Sequence, residues 1–407
     1  MKRSLLALTI LFLIFFGYRW NNLRIEEEKD QEFINLVGEV SHRILNDHVI
    51  NSFEFNNKKI KTEFYFNEEL ESYIKKQMKL YASKAIAIVV LDNDTGKVIS
   101  LLSYERESKK FGRSMALLAS HPSASLSKIV TAADLIENAG YNPWTDIVTR
   151  GKGTTLYKYQ LKKEHRWNRK ISLEKAFAFS NNAAFGKAAI HNSTASSLYE
   201  MALSFGFNKR LSTVLKLPKS IFQMPKDQYN LAELASGFNT ETMISPLHAA
   251  IFASIVANEG NLKRPKLIKS LLVNDENLLD EEISFEDEKV LSSDAADQLA
   301  RLMTKTVEFG TARKSFRRMR RNLKSRLEIG GKTGSITGGF PEGKRDWFSA
   351  YARPKNGNNK GISVSVMSIQ GPMWRAKSSY LAKNIIEYYY RQIEKTDVRD
   401  KQVYAKK

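Results

Sequence analysis

The sequence predicts an α/β (α+β) fold in which one antiparallel sheet is assembled from both chain ends, with flanking helices and a helical insert between them. Three observations carry this. Residues 85–102 read as a strand hairpin, residues 327–370 read as three further strands, and most of the sequence between has helical period. With 407 residues, 42% hydrophobic and 11% aromatic, the chain can bury a sizeable core and has no overall signature of disorder.

The N-terminus sets the topology. Lys2 and Arg3 precede an apolar run from Leu5 to Tyr18, broken only by Thr9 and Gly17 and followed by Arg19 and Trp20. A positive start before an apolar stretch is the pattern of an export signal. The run is short for a spanning helix of about 20 residues, but Tyr18 and Trp20 suit a membrane interface. Bulky residues from Phe15 to Trp20 leave no small-x-small cleavage site, so residues 1–22 are expected to stay as a membrane anchor. Residues 23–62, charged and Asn-rich with a helical stretch from Phe33 to Ile44, are expected to form a stalk and a small packing segment. The main domain is expected over 63–397, with a basic tail at 398–407.

Within that domain, Leu70, Tyr73, Ile74, Met78 and Tyr81 give the stretch from Asn67 to Tyr81 a helical period. Ala85 to Leu91 is an apolar run of strand length, Asn93 to Gly96 turns the chain, and Val98 to Leu102 returns. Ser125 to Ala139 and Pro246 to Asn258 read as helices of the insert. Strands are expected at Leu327 to Thr337, Asp346 to Arg353 and Gly361 to Gln370, with Gly- and Pro-containing turns between them. A closing helix, Tyr380 to Ile393, carries Leu381, Ile385, Ile386, Tyr389 and Ile393 on one stripe. The acidic stretch Asp275 to Glu288 reads as a solvated loop, and the basic run Arg313 to Arg326 as a charged, exposed helix or loop, with contact to anionic lipid or wall polymer as the alternative.

Composition narrows the chemistry. Cysteine is absent, which excludes disulfides, thiolate metal sites and a cysteine nucleophile. The six histidines, at 42, 48, 121, 165, 191 and 248, show no HExxH spacing, so no metal and no cofactor are expected. The net charge of +20 fits an anionic membrane or wall surface, or simply a soluble, self-repelling protein. No zinc-finger spacing, helix-turn-helix or RNP-like box accompanies it, and nucleic acid is not an expected partner.

Three short motifs carry chemistry. In Ser125-Leu126-Ser127-Lys128, residues three apart on a helix share a face, so the Lys128 amine can reach the Ser125 hydroxyl. A serine needs such a base, and burial favours the neutral amine. Ser-x-x-Lys alone is weak, since Ser72 to Lys75 also matches it on an ordinary amphipathic helix. In Ser180-Asn181-Asn182, polar groups sit among small and apolar residues and need partners or a cavity. Ser180 can relay a proton between Lys128 and a leaving amine, and Asn182 can hold a substrate amide; helix capping is the competing explanation. Lys332-Thr333-Gly334-Ser335 continues a strand that can pair with an extended peptide. There Lys332 and Thr333 can meet a carboxylate, and Gly334 admits close backbone approach. The backbone amides of Ser125 and Ser335 would then form an oxyanion hole.

Together these motifs match the set shared by penicillin-binding proteins and β-lactamases. The chain resembles the penicillin-binding transpeptidases well beyond them. Residues 122–140 look like the nucleophile helix of that family, 179–189 its second-motif segment, and 245–260 its Ser-Pro-Leu helix. Gly310-Thr311-Ala312, residues 330–335 and 346–354 look like the approach to the third motif and the strand after it, and 89–104 like the opening hairpin. The resemblance implies the penicillin-binding/β-lactamase-like fold, with Ser125 acylated, Lys128 as base and Ser180 as relay. It implies Asn182 as a substrate contact, Lys332 and Thr333 as the carboxylate and β-lactam site, and Ser335 completing the oxyanion hole. The activity implied is D,D-transpeptidation of peptidoglycan stem peptides, with covalent β-lactam binding, at the bacterial inner membrane with the catalytic domain on its periplasmic side. Wall-synthesis proteins are its implied partners. A D,D-carboxypeptidase, a β-lactamase and a non-catalytic sensor or scaffold are the alternatives. Three departures stand out: Ser127 replaces a frequent aromatic, His248 replaces a common Gln, and the basic run after Ala312 is long.

Overall fold

The computed structural model describes residues 31–404, except 163–165, 213, 280–286, 358 and 372–373. Its centre is a six-stranded antiparallel sheet in the order Leu327–Thr337, Lys344–Pro354, Ile362–Gln370, Ala85–Asp92, Val98–Glu105 and Lys110–Gly112. The two chain ends meet where Ile362–Gln370 pairs with Ala85–Asp92, Val364 opposite Val90 and Val366 opposite Ile88. Those two strands lie at the sheet's centre and are covered on both faces; Ala85–Asp92 is spelled in near-continuous apolar residues, while Ile362–Gln370 buries Ser363, Ser365 and Ser368 among its apolar ones.

Side chains alternate between the faces. Ala85, Ala87, Val89 and Leu91 enter a core shared with the helical insert, while Ile86, Ile88 and Val90 enter a second core under the closing helix Ser378–Tyr404 and helix Glu68–Tyr81. Helix Pro246–Ala257 is buried at every position, because it lies between the sheet and the insert. Its start is fixed by the Ser245 side chain, which accepts from His248 N, and by Pro246 in the first turn. Truncating one of its large side chains, Phe252 for example, should cost about 3–5 kcal/mol.

In the region expected as a stalk and small packing segment with a helical stretch from Phe33 to Ile44, a helix over 31–45 buries Leu36, Val37, Val40 and Ile44 in the main core. Strands Ser52–Phe55 and Lys58–Phe64 follow and join Ile268–Val273 and Glu276–Asn277 in a second sheet. Lys58–Phe64 runs across the expected boundary at 62/63, so the N-terminal segment shares a sheet with the insert. Part of the expected acidic loop is thus a strand, Glu276–Asn277, held by pairing with Leu272 and Val273. The expected membrane anchor, residues 1–22, lies outside the described residues. Among those described, no helix is long and apolar enough to cross a membrane.

Candidate active site

The nucleophile segment is held from both sides before it turns. His121 and Pro122 pair with Ile244 and Met243, and Ser123 N donates to Thr242 O at 2.8 Å. Trp347, on the strand beside the third motif, donates its indole N–H to Pro122 O at 3.0 Å. Ala124 then adopts φ +50°, a left-handed conformation unusual for a residue with a Cβ. A 3₁₀ turn, Ala124–Leu126, runs directly into helix Ser127–Glu137, so Ser125 stands at the mouth of that helix. The turn is packed against Gly237, where a Cβ would lie 1.8 Å from Ala124 O, and glycine is therefore required.

Lys128 projects from the first turn of the helix and is wholly buried. Its Nζ lies 2.9 Å from Ser125 Oγ, 2.6 Å from Asn182 Oδ1 and 2.5 Å from Ser236 O. Burial, and then the positive charge of Lys332, push its pKa well below the ordinary lysine value of 10.5. A neutral amine has two N–H donors and one lone pair. Two of its three neighbours, an amide oxygen and a carbonyl, can only accept; the third, the Ser125 hydroxyl, can donate. The set of partners fits a free base aimed at the serine.

The second motif lies at a break between helices. Leu173–Ala178 ends, Ser180 adopts φ +56°, and Asn182–Asn192 begins. Asn181 caps the new helix, accepting from Ala184 N at 2.9 Å, which leaves Ser180 and Asn182 for other partners. Asn182 is pinned by loop 150–161: its N donates to Gly153 O at 2.6 Å and its Nδ2 to Thr154 O at 3.2 Å. That loop is closed by the buried Gln160, whose Nε2 donates to Arg150 O and Lys152 O and whose Oε1 accepts from Tyr157 N and Thr155 Oγ1.

Lys332 sits on strand Leu327–Thr337, fully buried against the Phe177 ring. Its Nζ donates to Ser180 Oγ at 2.8 Å and Thr333 O at 2.9 Å, and burial pulls its pKa down to about 7. Thr333 Oγ1 is 2.6 Å from Thr311 Oγ1. A Cβ on Gly334 would come 3.4 Å from Ser125 N, so this strand passes beside the nucleophile's own amide.

Ser125, Ser180, Asn182, Thr333, Gly334 and Ser335 all line one groove of about 590 Å³, and Lys128 and Lys332 lie beneath it, bonded to its serines. Every residue singled out in the sequence therefore comes to one place. Two placements differ from the sequence reading: the described partner of Ser180 is Lys332 rather than Lys128, and Asn182 Oδ1 faces Lys128. Sequence reasoning missed Ser236, Gly237, Thr154 and Gln160, and marked Thr311 only as part of the approach to the third motif. Ser236 and Thr154 act through carbonyls, which leave no mark in a sequence. Of the three departures, the two single-residue ones do not reach the groove. Ser127 is buried with its Oγ 2.7 Å from Ser123 Oγ, and His248 is a core residue whose Nε2 lies 2.8 Å from Phe205 O.

A family model, the penicillin binding protein transpeptidase domain, matches residues 86–388. Penicillin-binding protein PbpB of Mycolicibacterium smegmatis is 23% identical over 321 residues, 72% of this chain and 48% of that protein. The chain thus spans about half the length of the curated relative it matches. Penicillin-binding protein A of Mycobacterium tuberculosis, in a penicillin G acyl-enzyme complex, superposes with TM-score 0.60 at 21% identity, over 80% of this chain and 78% of that one. The D,D-transpeptidase domain of a peptidoglycan glycosyltransferase from Eggerthella lenta does so with TM-score 0.63 at 19% identity, over 82% and 84%.

Proposed function

The chain belongs to the penicillin-binding protein transpeptidase family, and from that premise we propose that it cross-links peptidoglycan stem peptides through an acyl-enzyme on Ser125. The observation that carries this is the position of Lys128 Nζ, 2.9 Å from Ser125 Oγ with its other described partners both pure acceptors. Ser125 Oγ attacks the carbonyl carbon between two terminal D-alanines and gives its proton to the Lys128 lone pair. The backbone N–H groups of Ser125 and Ser335 hold the oxygen anion that forms. As the C–N bond breaks, Ser180 gives its hydroxyl proton to the departing amine and takes one from Lys332 through their hydrogen bond. D-Alanine leaves, and the proton that Ser125 gave to Lys128 restores Lys332, so that one proton has passed from serine to amine in net and Lys128 is again a free base. The amine of a neighbouring stem then attacks the ester, loses a proton to the base and releases Ser125 with a new amide bond. Thr333, Lys332 and Ser335 receive the terminal carboxylate, and Asn182 positions Lys128 besides contacting substrate. With a β-lactam the broken amide stays tethered, so the adduct persists.

Rapid release of a β-lactam, as by a β-lactamase, needs a further positioned deacylating base; among the described lining residues the only carboxylate is Asp346, whose Oδ2 is held by Ser378 N at 2.6 Å. A D,D-carboxypeptidase would differ only in letting water resolve the acyl-enzyme. Retention of every motif residue argues against a scaffold, and a sensor would acylate without releasing product from a peptide substrate. Residues 1–22 are proposed as the anchor to the inner membrane, residues 63–397 as the transpeptidase domain on its outer side, and residues 398–407 as a basic tail. Wall-synthesis proteins are the proposed partners.

Intact-mass analysis after incubation with a penicillin tests the reading. A lasting adduct on the parent, absent in Ser125→Ala, is the expected result. Penicillin consumed without a lasting adduct would replace it with a β-lactamase, and neither adduct nor turnover would remove the acylation mechanism.

A further inference from the structure

Eight of the fourteen residues from 313 to 326 are arginine or lysine, and none is acidic. All eight are exposed, while Phe316, Met319 and Leu323 between them are buried and pin two short helices, Arg313–Phe316 and Arg321–Arg326, to the body. Among the described residues, the side chains of Arg313, Lys314, Arg317, Arg318, Arg320, Arg321 and Lys324 form no ion pair; Arg320 meets Glu387 only through its backbone N–H. Some surface cations elsewhere are matched, as in Lys263 with Asp287, Arg264 with Glu288 and Lys360 with Glu259. Like charges held this densely on a fixed surface repel one another and attract a polyanion.

The surface is continuous with the groove. Thr311, two residues before it, touches Thr333, and Ser315 Oγ lies 2.8 Å from Oγ of Ser379, a lining residue. Lys344 and Lys377 extend the positive character into the groove itself. A ligand lying along Leu327–Thr337 therefore leaves the groove beside these cations, and this continuity favours a chain-like ligand over a bilayer. We propose that residues 313–326 form a docking surface for a peptidoglycan strand, reading the free carboxylates of its uncross-linked stem peptides. The identity of that polymer rests on the transpeptidase reading. Each uncross-linked stem ends in a carboxylate, so a strand carrying many stems presents a row of carboxylates, and each cross-link removes one of them.

The test measures binding of uncross-linked peptidoglycan strands to the full chain carrying Ser125→Ala, so that no acylation intervenes. A second form adds Arg317→Gln, Arg318→Gln, Arg320→Gln and Arg321→Gln. Affinity should fall about tenfold or more with the four neutral residues, and also with rising salt. It should fall likewise when the strand's carboxylates are amidated. The same four substitutions on the Ser125 parent should leave the penicillin adduct intact, showing a folded site. Equal binding by the four-residue variant, or binding indifferent to amidation, would overturn the proposal. So would preferential capture by phosphatidylglycerol vesicles, which would assign the surface to the membrane. If the variant fails to capture penicillin, its four-lysine counterpart and the salt series on Ser125→Ala decide, and salt-independent binding overturns the proposal. Absence of a penicillin adduct on the parent would instead count against the transpeptidase reading, since strand binding is scored without it.

Discussion

The chain spells Ser-x-x-Lys twice, at Ser72 to Lys75 and at Ser125 to Lys128, and the two copies share helical spacing but not surroundings. Ser72 and Lys75 lie on the outer side of helix Glu68–Tyr81, facing a groove of about 820 Å³ whose lining includes the Arg113–Glu71 ion pair. Among the described residues the Lys75 ammonium lies near the Phe111 ring, 5.9 Å from the centroid, and forms no ion pair. Lys128 is buried, bonded to three oxygens and repelled by a second buried lysine. Spacing gives reach; the chemistry comes from desolvation and from what fills the amine's other positions. Cavity size is no guide, since the larger groove holds the inert copy.

The comparison is broken most severely at the nucleophile. Ser125→Ala should abolish the penicillin adduct, while Ser72→Ala leaves it unchanged, as read by intact mass. Next comes the base: Lys128→Ala should slow acylation by about 10²–10⁴-fold, with Lys75→Ala indistinguishable from the parent in stopped-flow acylation. Gly237→Ala should also fail selectively. Its new Cβ meets Ala124 O at 1.8 Å and φ is +64°, so the nucleophile turn must shift. A loss of about 1–3 kcal/mol in chemical denaturation, with slowed acylation, is expected. The finest adjustment is Lys332→Ala. Removing that positive charge lets Lys128 hold its proton more tightly, so its pKa rises and less free base is present at a given pH. The acid limb of the acylation profile should therefore move to higher pH, and a limb that stays put would deny the coupling.

Much of this architecture is legible in the amino-acid sequence. Ala85 to Leu91 announces a central strand because burial on both faces favours unbroken apolar spelling, Gly361 to Gln370 reads as a strand from its Ile and Val after a turn, and the three motifs name their residues directly. What is not legible depends on long-range pairing or on backbone. Nothing in Lys58 to Phe64 indicates that its partner is Ile268–Val273, some two hundred residues away. Ser180 meets Lys332 because a left-handed turn at Ser180 re-aims it, a φ value that spacing cannot give. Ser236 offers only a carbonyl to Lys128, and any residue type would supply one.

The central claim is that Lys128 is a free base at working pH. The rate of Ser125 acylation by a penicillin, followed across pH on the parent chain, tests it most directly. The rate should reach its plateau well below 10.5, the ordinary lysine value. A rate that keeps climbing through that value, as an ordinary solvated lysine would dictate, would contradict the account.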